Sequence, residues 1–543
     1  MAKKKDNFVM QAGILAVAGI IVRIIGLLYN KPMVAIIGDE GNGYYDSAYA
    51  AYSIVLLISS YSIPSAVSKV IAQKLELKEY RNAHRIFRCA FIYVLVVGGI
   101  ASLFVFFGAG LLVEMESAIL PLRVLAPTVF LSGILGVFRG YFQAHKTMAQ
   151  TSISQILEQL ANAGVSIGMA YVMVQAVADK DLSTQASYGA AGGTLGTGAG
   201  VLAGLLFMLW MYGLNRKIIM KRVARDPHQE VDSYGEIFKT ILLVVTPFIL
   251  STGIYNVNNF LDKTIYQKIM MLVMDLKESV VATDLSVIAK GTKISNIPIA
   301  LASAMATALI PSIASDAEQG NKKSIRKKVA KSMKVTMLIS IPATVGIAVL
   351  AKPIMRVIFN QPDTLDLSSK LLAVTSFSII FYGISTLTQA VLQSIGKMIT
   401  PIVHAAVALV LHAAAMAAML LYMDNEYRMY YYVVATVLYS VIVSILNGLS
   451  LKRYLKYKQE VDKTFLRPAF ASMIMGAVAF GAYHGIYYLL PMNLVALCIA
   501  VVIAVFVYFV LVIALHAVTE DELLSMPKGH LIVRAGKKLR LLK

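Results

Sequence analysis

Apolar stretches of about 20 residues recur along the whole chain, the length at which an α-helix crosses the hydrocarbon of a bilayer. They fall near residues 8–30, 47–72, 86–110, 119–142, 152–178, 188–214, 237–261, 284–314, 332–351, 369–394, 399–423, 429–451, 466–489 and 491–517, with short polar links between them. The stretches are too long for barrel strands and lack the apolar–polar alternation of a lipid-facing strand. The pattern predicts an all-α integral membrane protein of about fourteen transmembrane helices.

Composition narrows the class. Of 543 residues, 58% are hydrophobic and 15% charged, with a mean hydropathy of +0.70. Soluble domains are about half apolar and about a quarter charged, so an ordinary soluble enzyme is excluded. The 50 Lys+Arg against 30 Asp+Glu give a net charge of +20, which in a soluble chain would suggest nucleic acid. Here the charges alternate from loop to loop. Gly38–Gly41, Glu114–Glu116, Asp179–Asp181 and Asp424–Glu426 are acidic, whereas 74–88, 216–225, 322–331 and 452–463 are basic, as are both ends of the chain. Basic loops stay in the cytoplasm. The alternation therefore predicts an even number of spans with both termini cytoplasmic, and it assigns the charge to topology and anionic lipid, with no nucleic-acid partner.

Other features are negative. Cys89 and Cys498 lie in apolar stretches, so neither a disulfide framework nor a zinc site is expected. The first apolar run lacks a small-residue cleavage site and reads as a retained helix. Every link is short; the longest external one, about Asp262 to Thr283, includes an amphipathic Ile269–Lys277. None holds an enzyme active site, so a non-enzyme is expected. Tyr44, Tyr45, Tyr427, Tyr430, Tyr431, Tyr432, Tyr487 and Tyr488 read as an interfacial aromatic belt. Glycines at 192, 196 and 200 form a small-residue stripe for close helix packing rather than a phosphate loop, because no strand precedes them and no P-loop lysine follows.

The two halves repeat weakly. Ile63-Pro-Ser-Ala66 answers Ile297-Pro-Ile-Ala300, and Gly133, Gln143 and Met148 match Gly383, Gln393 and Met398 at a constant offset of 250. Six spans per repeat keep the halves in the same orientation. The expected organisation is an N-terminal lobe (1–225), a C-terminal lobe (226–460), and an extra helix pair with a basic tail (461–543). Parallel repeats around a central cavity describe an alternating-access carrier.

Those motifs carry a family resemblance. Val22-Arg-Ile-Ile-Gly-Leu-Leu-Tyr29, Ile37-Gly-Asp-Glu-Gly-Asn-Gly-Tyr44, Ile63-Pro-Ser-Ala-Val-Ser-Lys69, Asn258-Asn-Phe-Leu-Asp262, and Ile297-Pro298 through Leu309-Ile-Pro311 occur in order along nearly the whole chain. In that order they resemble the MOP exporter superfamily, within it the MurJ-like lipid II flippases, and most closely the SpoVB/YtgP polysaccharide-biosynthesis branch. The resemblance implies a bacterial plasma-membrane protein that moves an undecaprenyl-pyrophosphate-linked saccharide, lipid II first, from the inner to the outer leaflet. Membrane lipid and the cell-wall synthesis machinery are the partners it implies. No cofactor is expected, and without a nucleotide motif the driving force is an ion gradient or the membrane potential. The latter supplies about 2.3 kcal/mol per charge per 100 mV.

Ionisable residues at membrane depth are costly unless paired or wet, which marks them as candidates. Arg23 stands about 27 Å along its helix from Lys5 at 1.5 Å per residue. It either lines the cavity and grips an anionic headgroup, as the family's Arg-x-x-Gly motif implies, or it snorkels or pairs with a carboxylate. Lys293 lies five residues before Pro298, where the family has a basic residue facing the cavity. Lys290, one turn away and expected closer to the surface, could share its field. A diphosphate held between Arg23 and Lys293 would bridge the two lobes.

Weaker candidates follow. Asp262 is either a hydrated interfacial pair with Lys263 or a partner of Lys293. Some relatives bind sodium with carboxylates of helices 7 and 11, but helix 11 here has His404 and His412 and no carboxylate, so no metal site is expected. Glu158 is a cavity or proton-relay group, or the partner of Arg139, Lys146 or another cation. Lys31 follows helix 1 without aligning cleanly to the family pattern. Pro64, Pro298 and Pro311 fall within helices, where proline removes a backbone hydrogen bond and should kink or break them. The competing reading is a cation-coupled multidrug antiporter of the same superfamily, or a flippase for another lipid-linked polysaccharide unit.

Overall fold

A computed structural model describes residues 18–19, 21–61, 63–145, 147–226, 231–518 and 534. Every regular element among them is helical. Among the described residues, ten helical stretches are long and apolar enough to cross a membrane. Most of the predicted span 8–30, and the basic tail from 519 on apart from Arg534, lie outside the described residues.

The fold divides into two compact units, Met1–Ser286 and Val287–Lys543. The first begins with helical residues 21–28, which run into α1 (Asn30–Leu56) through the bonds Tyr29 N–H to Ile25 O and Met33 N–H to Tyr29 O, at 3.1 and 3.2 Å. Then come α2 (Ile63–Glu76), α3 (Tyr80–Tyr93), α4 (Gly99–Phe107), α5 (Ile119–Ala144), α6 (Met148–Ala176), α7 (Leu182–Ala224), α8 (Tyr234–Lys268) and α9 (Glu278–Glu318). The unit boundary falls inside α9. α8, which the repeat assigns to the C-terminal lobe, packs against α1, α2 and α3 and clusters with the first unit.

Two predicted loops are absent. The acidic link at Gly38–Gly41 is a single kink: Gly38 takes φ 70° and ψ 179° inside α1. Only glycine visits that region without a Cβ penalty, so one residue turns the chain and the helix resumes. The external link from Asp262 is mostly helix. α8 continues to Lys268 and passes into a π-helical turn at Ile269–Val273. Asp262 and Lys263 are taken up within the fold, whereas Lys268, Asp275 and Lys277 stay exposed.

The prolines behave differently from one another. A π-helical turn at Leu57–Tyr61 precedes Pro64, which sits at the second position of α2. The missing N–H of Pro64 would have bonded the Ser60 carbonyl, so the helix changes register here. α5 closes on this irregularity, since a Cβ at Gly140 would lie 2.7 Å from the Pro64 carbonyl oxygen. By contrast α9 runs through Pro298 without a break. Pro311 falls in the same helix, at a position whose side chain lies outside the described residues.

The glycine stripe packs as expected. A Cβ at Gly192, Gly196 or Gly200 would stand 2.4 Å from the Met169 carbonyl oxygen, 2.0 Å from Ser166 Oγ or 2.5 Å from the Glu158 carbonyl oxygen, so α7 lies directly on the α6 backbone.

The second unit holds α10 (Lys322–Val349), α11 (Ala351–Ile358), α12 (Leu365–Ser376), α13 (Ser378–Ser394), α14 (Ile399–Tyr422), α15 (Arg428–Leu455), α16 (Arg467–Leu489) and α17 (Asn493–Ala514). α16 and α17 pair with each other and lie on α10 and α11. One trace of the repeat is visible in packing. Gly133 of α5 closes on Val94 and Ser60, and Gly383 of α13, 250 positions on, closes on Ser340 and Thr336 of α10.

Candidate functional site

Two polar clusters stand inside the first unit. One lies at the end carrying the Gly38 kink. Here α1 contributes Asp39, Asn42, Asp46 and Ser47; α8 contributes Lys263, Tyr266 and Gln267; the start of α9 contributes Asp284 and Ser286. Asn42, fully buried, donates to Ser286 Oγ at 2.9 Å, and Ser286 donates to Asp39 Oδ1 at 3.0 Å. Lys263 Nζ donates to the Asp46 carbonyl oxygen at 2.9 Å, and Gln267 Nε2 to Ser47 Oγ at 2.8 Å. Tyr266, also fully buried, donates to Asp284 Oδ2 at 2.8 Å. The Glu278 carboxylate accepts the backbone N–H groups of Glu116 and Ser117 at 3.1 and 2.9 Å.

Gly43 permits this closure. A Cβ there would lie 2.0 Å from the Ala282 carbonyl oxygen, so the α1 and α9 backbones touch. Buried polar groups are costly unless bonded, and a linked set of this kind holds three helices in one register. Asp262 belongs to the same face of α8. It is 1% exposed and accepts from Asn258 Nδ2 at 3.3 Å. Asp262 is therefore buried rather than hydrated, and Lys263 reaches across to α1.

The second cluster joins α5 and α6. Arg139 of α5 and Glu158 of α6 form an ion pair at 2.6 Å, with Arg139 Nε also donating to Ser154 Oγ at 2.9 Å. Glu158 thus has the Arg139 partner that was one of its two readings. Beside it Tyr45 and Tyr49 stack at 6.0 Å, and Tyr52 follows at 5.5 Å from Tyr49. Tyr52 comes within 3.5 Å of Ser132 Oγ.

These tyrosines were not singled out from sequence as a cluster, because tyrosine near a predicted helix end reads as interfacial. Tyr44, Tyr45 and Tyr432 are in fact buried, and Tyr44 donates to Glu40 Oε1 at 2.8 Å. Spacing was the available signal: Tyr45, Tyr49 and Tyr52 repeat at helical intervals along one face.

Arg23 is exposed on the helix that precedes α1, and Gly26, one turn on, faces Gln159 of α6. Lys31 is also exposed. In the second unit Lys290 is 1% exposed, contrary to the surface position expected for it. Its Nζ donates to Thr364 Oγ1 at 3.2 Å and stands 5.8 Å from the centre of the Phe359 ring. A desolvated ammonium over a ring face is a favourable arrangement. Lys293, one turn further, is half-buried. On α14, His404 Nδ1 meets Asn447 Oδ1 at 2.8 Å, and His412 is fully buried. No group of His, Cys, Asp and Glu able to hold a metal ion occurs among the described residues.

Long apolar helices with lysines, carboxylates and an arginine pair buried among them define a multi-pass membrane protein with a transporter fold. A family profile described as lipid II flippase MurJ matches residues 83–498, and the chain belongs to that family. The lipid II flippase MurJ of Bacillus subtilis (strain 168) is 23% identical over 82% of this chain and 83% of its own length. The stage V sporulation protein B of the same organism is 23% identical over 98% of this chain and 100% of its own. Among solved structures, a lipid II flippase MurJ in an inward closed conformation superposes with a TM-score of 0.59 at 16% identity, over 92% of this chain and 97% of that one. An inward-facing multidrug resistance MATE family transporter of the MOP superfamily gives 0.60 at 15%, over 80% and 99%.

Proposed function

We propose that this protein is a flippase that carries an undecaprenyl-pyrophosphate-linked cell-wall precursor, lipid II in the first place, from the inner to the outer leaflet by alternating access. The observation that carries the reading is the family match over residues 83–498, in a chain whose apolar helices bear Arg23, Lys290 and Lys293. A diphosphate is anionic. Arginine grips it bidentately and lysine as a point charge. In this reading Arg23 and Lys293 hold the diphosphate from the two repeats, and Lys290 supplies field from one turn away. Asp262, Lys31 and Glu158 are secondary contacts. Pro64, Pro298 and Pro311 lend bending points to the helices that rock.

The protein works in the bacterial plasma membrane with both termini cytoplasmic, next to the machinery that makes and polymerises the precursor. An ion gradient or the membrane potential drives the cycle. With the cytoplasm negative, outward movement of negative charge is downhill by about 2.3 kcal/mol per charge per 100 mV.

The MATE-like fold supports a second reading, a cation-coupled drug antiporter. Such a carrier wants a deep carboxylate available for exchange in the N-terminal lobe, where Glu158 is engaged by Arg139 at 2.6 Å and the buried Asp46 accepts from Asn42 at 3.3 Å. These pairings favour the flippase. The test is reconstitution with a fluorescent lipid-linked diphosphate. Arg23→Ala and Lys293→Ala should each slow transbilayer movement at least tenfold, on the order of one lost charge-assisted contact. Full-rate movement in both variants would remove the proposed roles.

A further inference from the structure

The basic end of the first unit holds a cavity of about 330 Å³ between the ends of α2, α3, α5, α6 and α7. Its polar lining includes His84, His145, Gln150, Asn215 and Arg222, and none of its lining residues is acidic. His84 Nδ1 and Gln150 Oε1 are buried without a hydrogen-bond partner, and His84 is only 8% exposed. His145 donates from Nδ1 to the Tyr141 carbonyl oxygen at 2.9 Å, which directs its other ring nitrogen elsewhere. Arg222 acts electrostatically on both Tyr141 and His145.

The nearby carboxylates are already engaged. Glu79 and Asp232 both hold Lys74, at 2.8 and 2.7 Å, and Asp226 accepts the Arg81 backbone N–H at 2.7 Å. The cavity is left with a positive field and unmet hydrogen-bonding capacity.

Its rim indicates where a ligand would enter. Ile218 lines the cavity and is 57% exposed. Leu214 and Trp210, one and two turns back on the same face of α7, are 60% and 61% exposed. This apolar stripe faces lipid and leads into the basic cavity. The distance from Arg222 back to Trp210 is about 18 Å at 1.5 Å per residue, an acyl-chain length.

We propose that the cavity binds the phosphate headgroup of an anionic lipid from the leaflet at this end, held by Arg222 and by His84 through its unpartnered Nδ1, with its acyl chains along Ile218, Leu214 and Trp210. Basic pockets between transmembrane helices recognise lipid headgroups in this way. The second unit has its own cavity at the ends of α10, α13 and α15, lined by Lys452 and Lys458 and without histidine, which serves as an internal control.

Trp210 is the one tryptophan in the chain and reports on this stripe. The full chain is reconstituted in phosphatidylcholine vesicles containing the same minor fraction of brominated phosphatidylglycerol or brominated phosphatidylcholine. Tryptophan quenching should reveal about fivefold enrichment of the anionic lipid, the effect of about one basic residue at a membrane surface. Arg222→Gln, at an exposed position, should bring the two lipids to parity. The Lys452→Gln/Lys458→Gln double variant should leave the preference intact. Equal quenching by both lipids in the unaltered protein, or a preference that survives Arg222→Gln, overturns the proposal. So does loss of the preference on adding excess inorganic phosphate, which would assign the cavity to a soluble phosphate.

Discussion

Replacing Gly43 by alanine should open the kinked end of the first unit. The new Cβ would lie 2.0 Å from the Ala282 carbonyl oxygen and 2.4 Å from its carbon, both backbone atoms that no rotamer change can move. Reaching ordinary contact requires the backbones of α1 and α9 to part by about 1.4 Å. A shift of that size takes the 2.9 Å bond from Asn42 to Ser286 out of hydrogen-bond range and strains the 3.0 Å bond from Ser286 to Asp39. Overpacking costs about 1–3 kcal/mol, and each buried polar group left unsatisfied adds about 1–3 kcal/mol. A net loss of about 2 kcal/mol raises the opened population about thirtyfold.

The assay is maleimide labelling of Met270→Cys, a fully buried position in the π-helical turn after α8, in a Cys498→Ser background that leaves only buried Cys89. Gly43→Ala should raise the labelling rate at least tenfold. Gly99→Ala, where a Cβ meets nothing within 4 Å, should not change it. Labelling of the Gly43→Ala protein within about twofold of its parent would refute the argument that this contact holds α1 against α9.

Further outcomes follow from single contacts. Arg139→Met should lower stability by about 1–2 kcal/mol, a value reduced for a pair that is partly solvent-exposed. Arg139→Met/Glu158→Gln should recover part of that loss in a thermal-unfolding double-mutant cycle. Gly196→Ala, which would meet Ser166 Oγ at 2.0 Å, should cost about 2–3 kcal/mol in the same assay, whereas Gly164→Ala meets nothing and should be neutral. Asp181 caps α7 by accepting the Thr184 N–H at 3.0 Å and its hydroxyl at 2.7 Å, which holds the carboxyl below the ordinary carboxylate range. Its contribution is present above the unfolded pKa and is lost as pH falls through the lowered folded one. Hydrogen exchange at the Thr184 amide should therefore speed up in acid relative to unprotected amides, and Asp181→Ala should abolish that pH dependence.

How far the sequence reached depended on the kind of feature. Hydropathy placed α5, α14, α16 and α17 within a few residues, because lipid imposes a long apolar run that any window detects. The Gly38 kink escaped that logic. A polar Gly-Asp-Glu-Gly run looks like a loop, yet one glycine at φ 70° makes the turn and the rest stays helical. The same blindness affected Asp262 and Tyr266, both assigned to an external link. Their polarity suggested water, and only the tertiary partners, such as the bond from Tyr266 to Asp284, make their burial tolerable. Lys290 was misplaced for a related reason: the Thr364 hydroxyl and Phe359 ring that accept its ammonium are about 70 residues away in sequence. The packing glycines of α7 were legible because their four-residue spacing is local, as was the pairing of Glu158 with Arg139, an obligation of any carboxylate at that depth.

The central claim is that this protein moves a lipid-linked cell-wall precursor between leaflets. Its most direct test is depletion in the native host followed by a leaflet-resolved measurement of lipid II. The account predicts that lipid II accumulates in the inner leaflet and that the unaltered protein, but not Arg23→Ala or Lys293→Ala, restores its outer-leaflet pool. An unchanged leaflet distribution together with altered drug tolerance would contradict it and point to the antiporter.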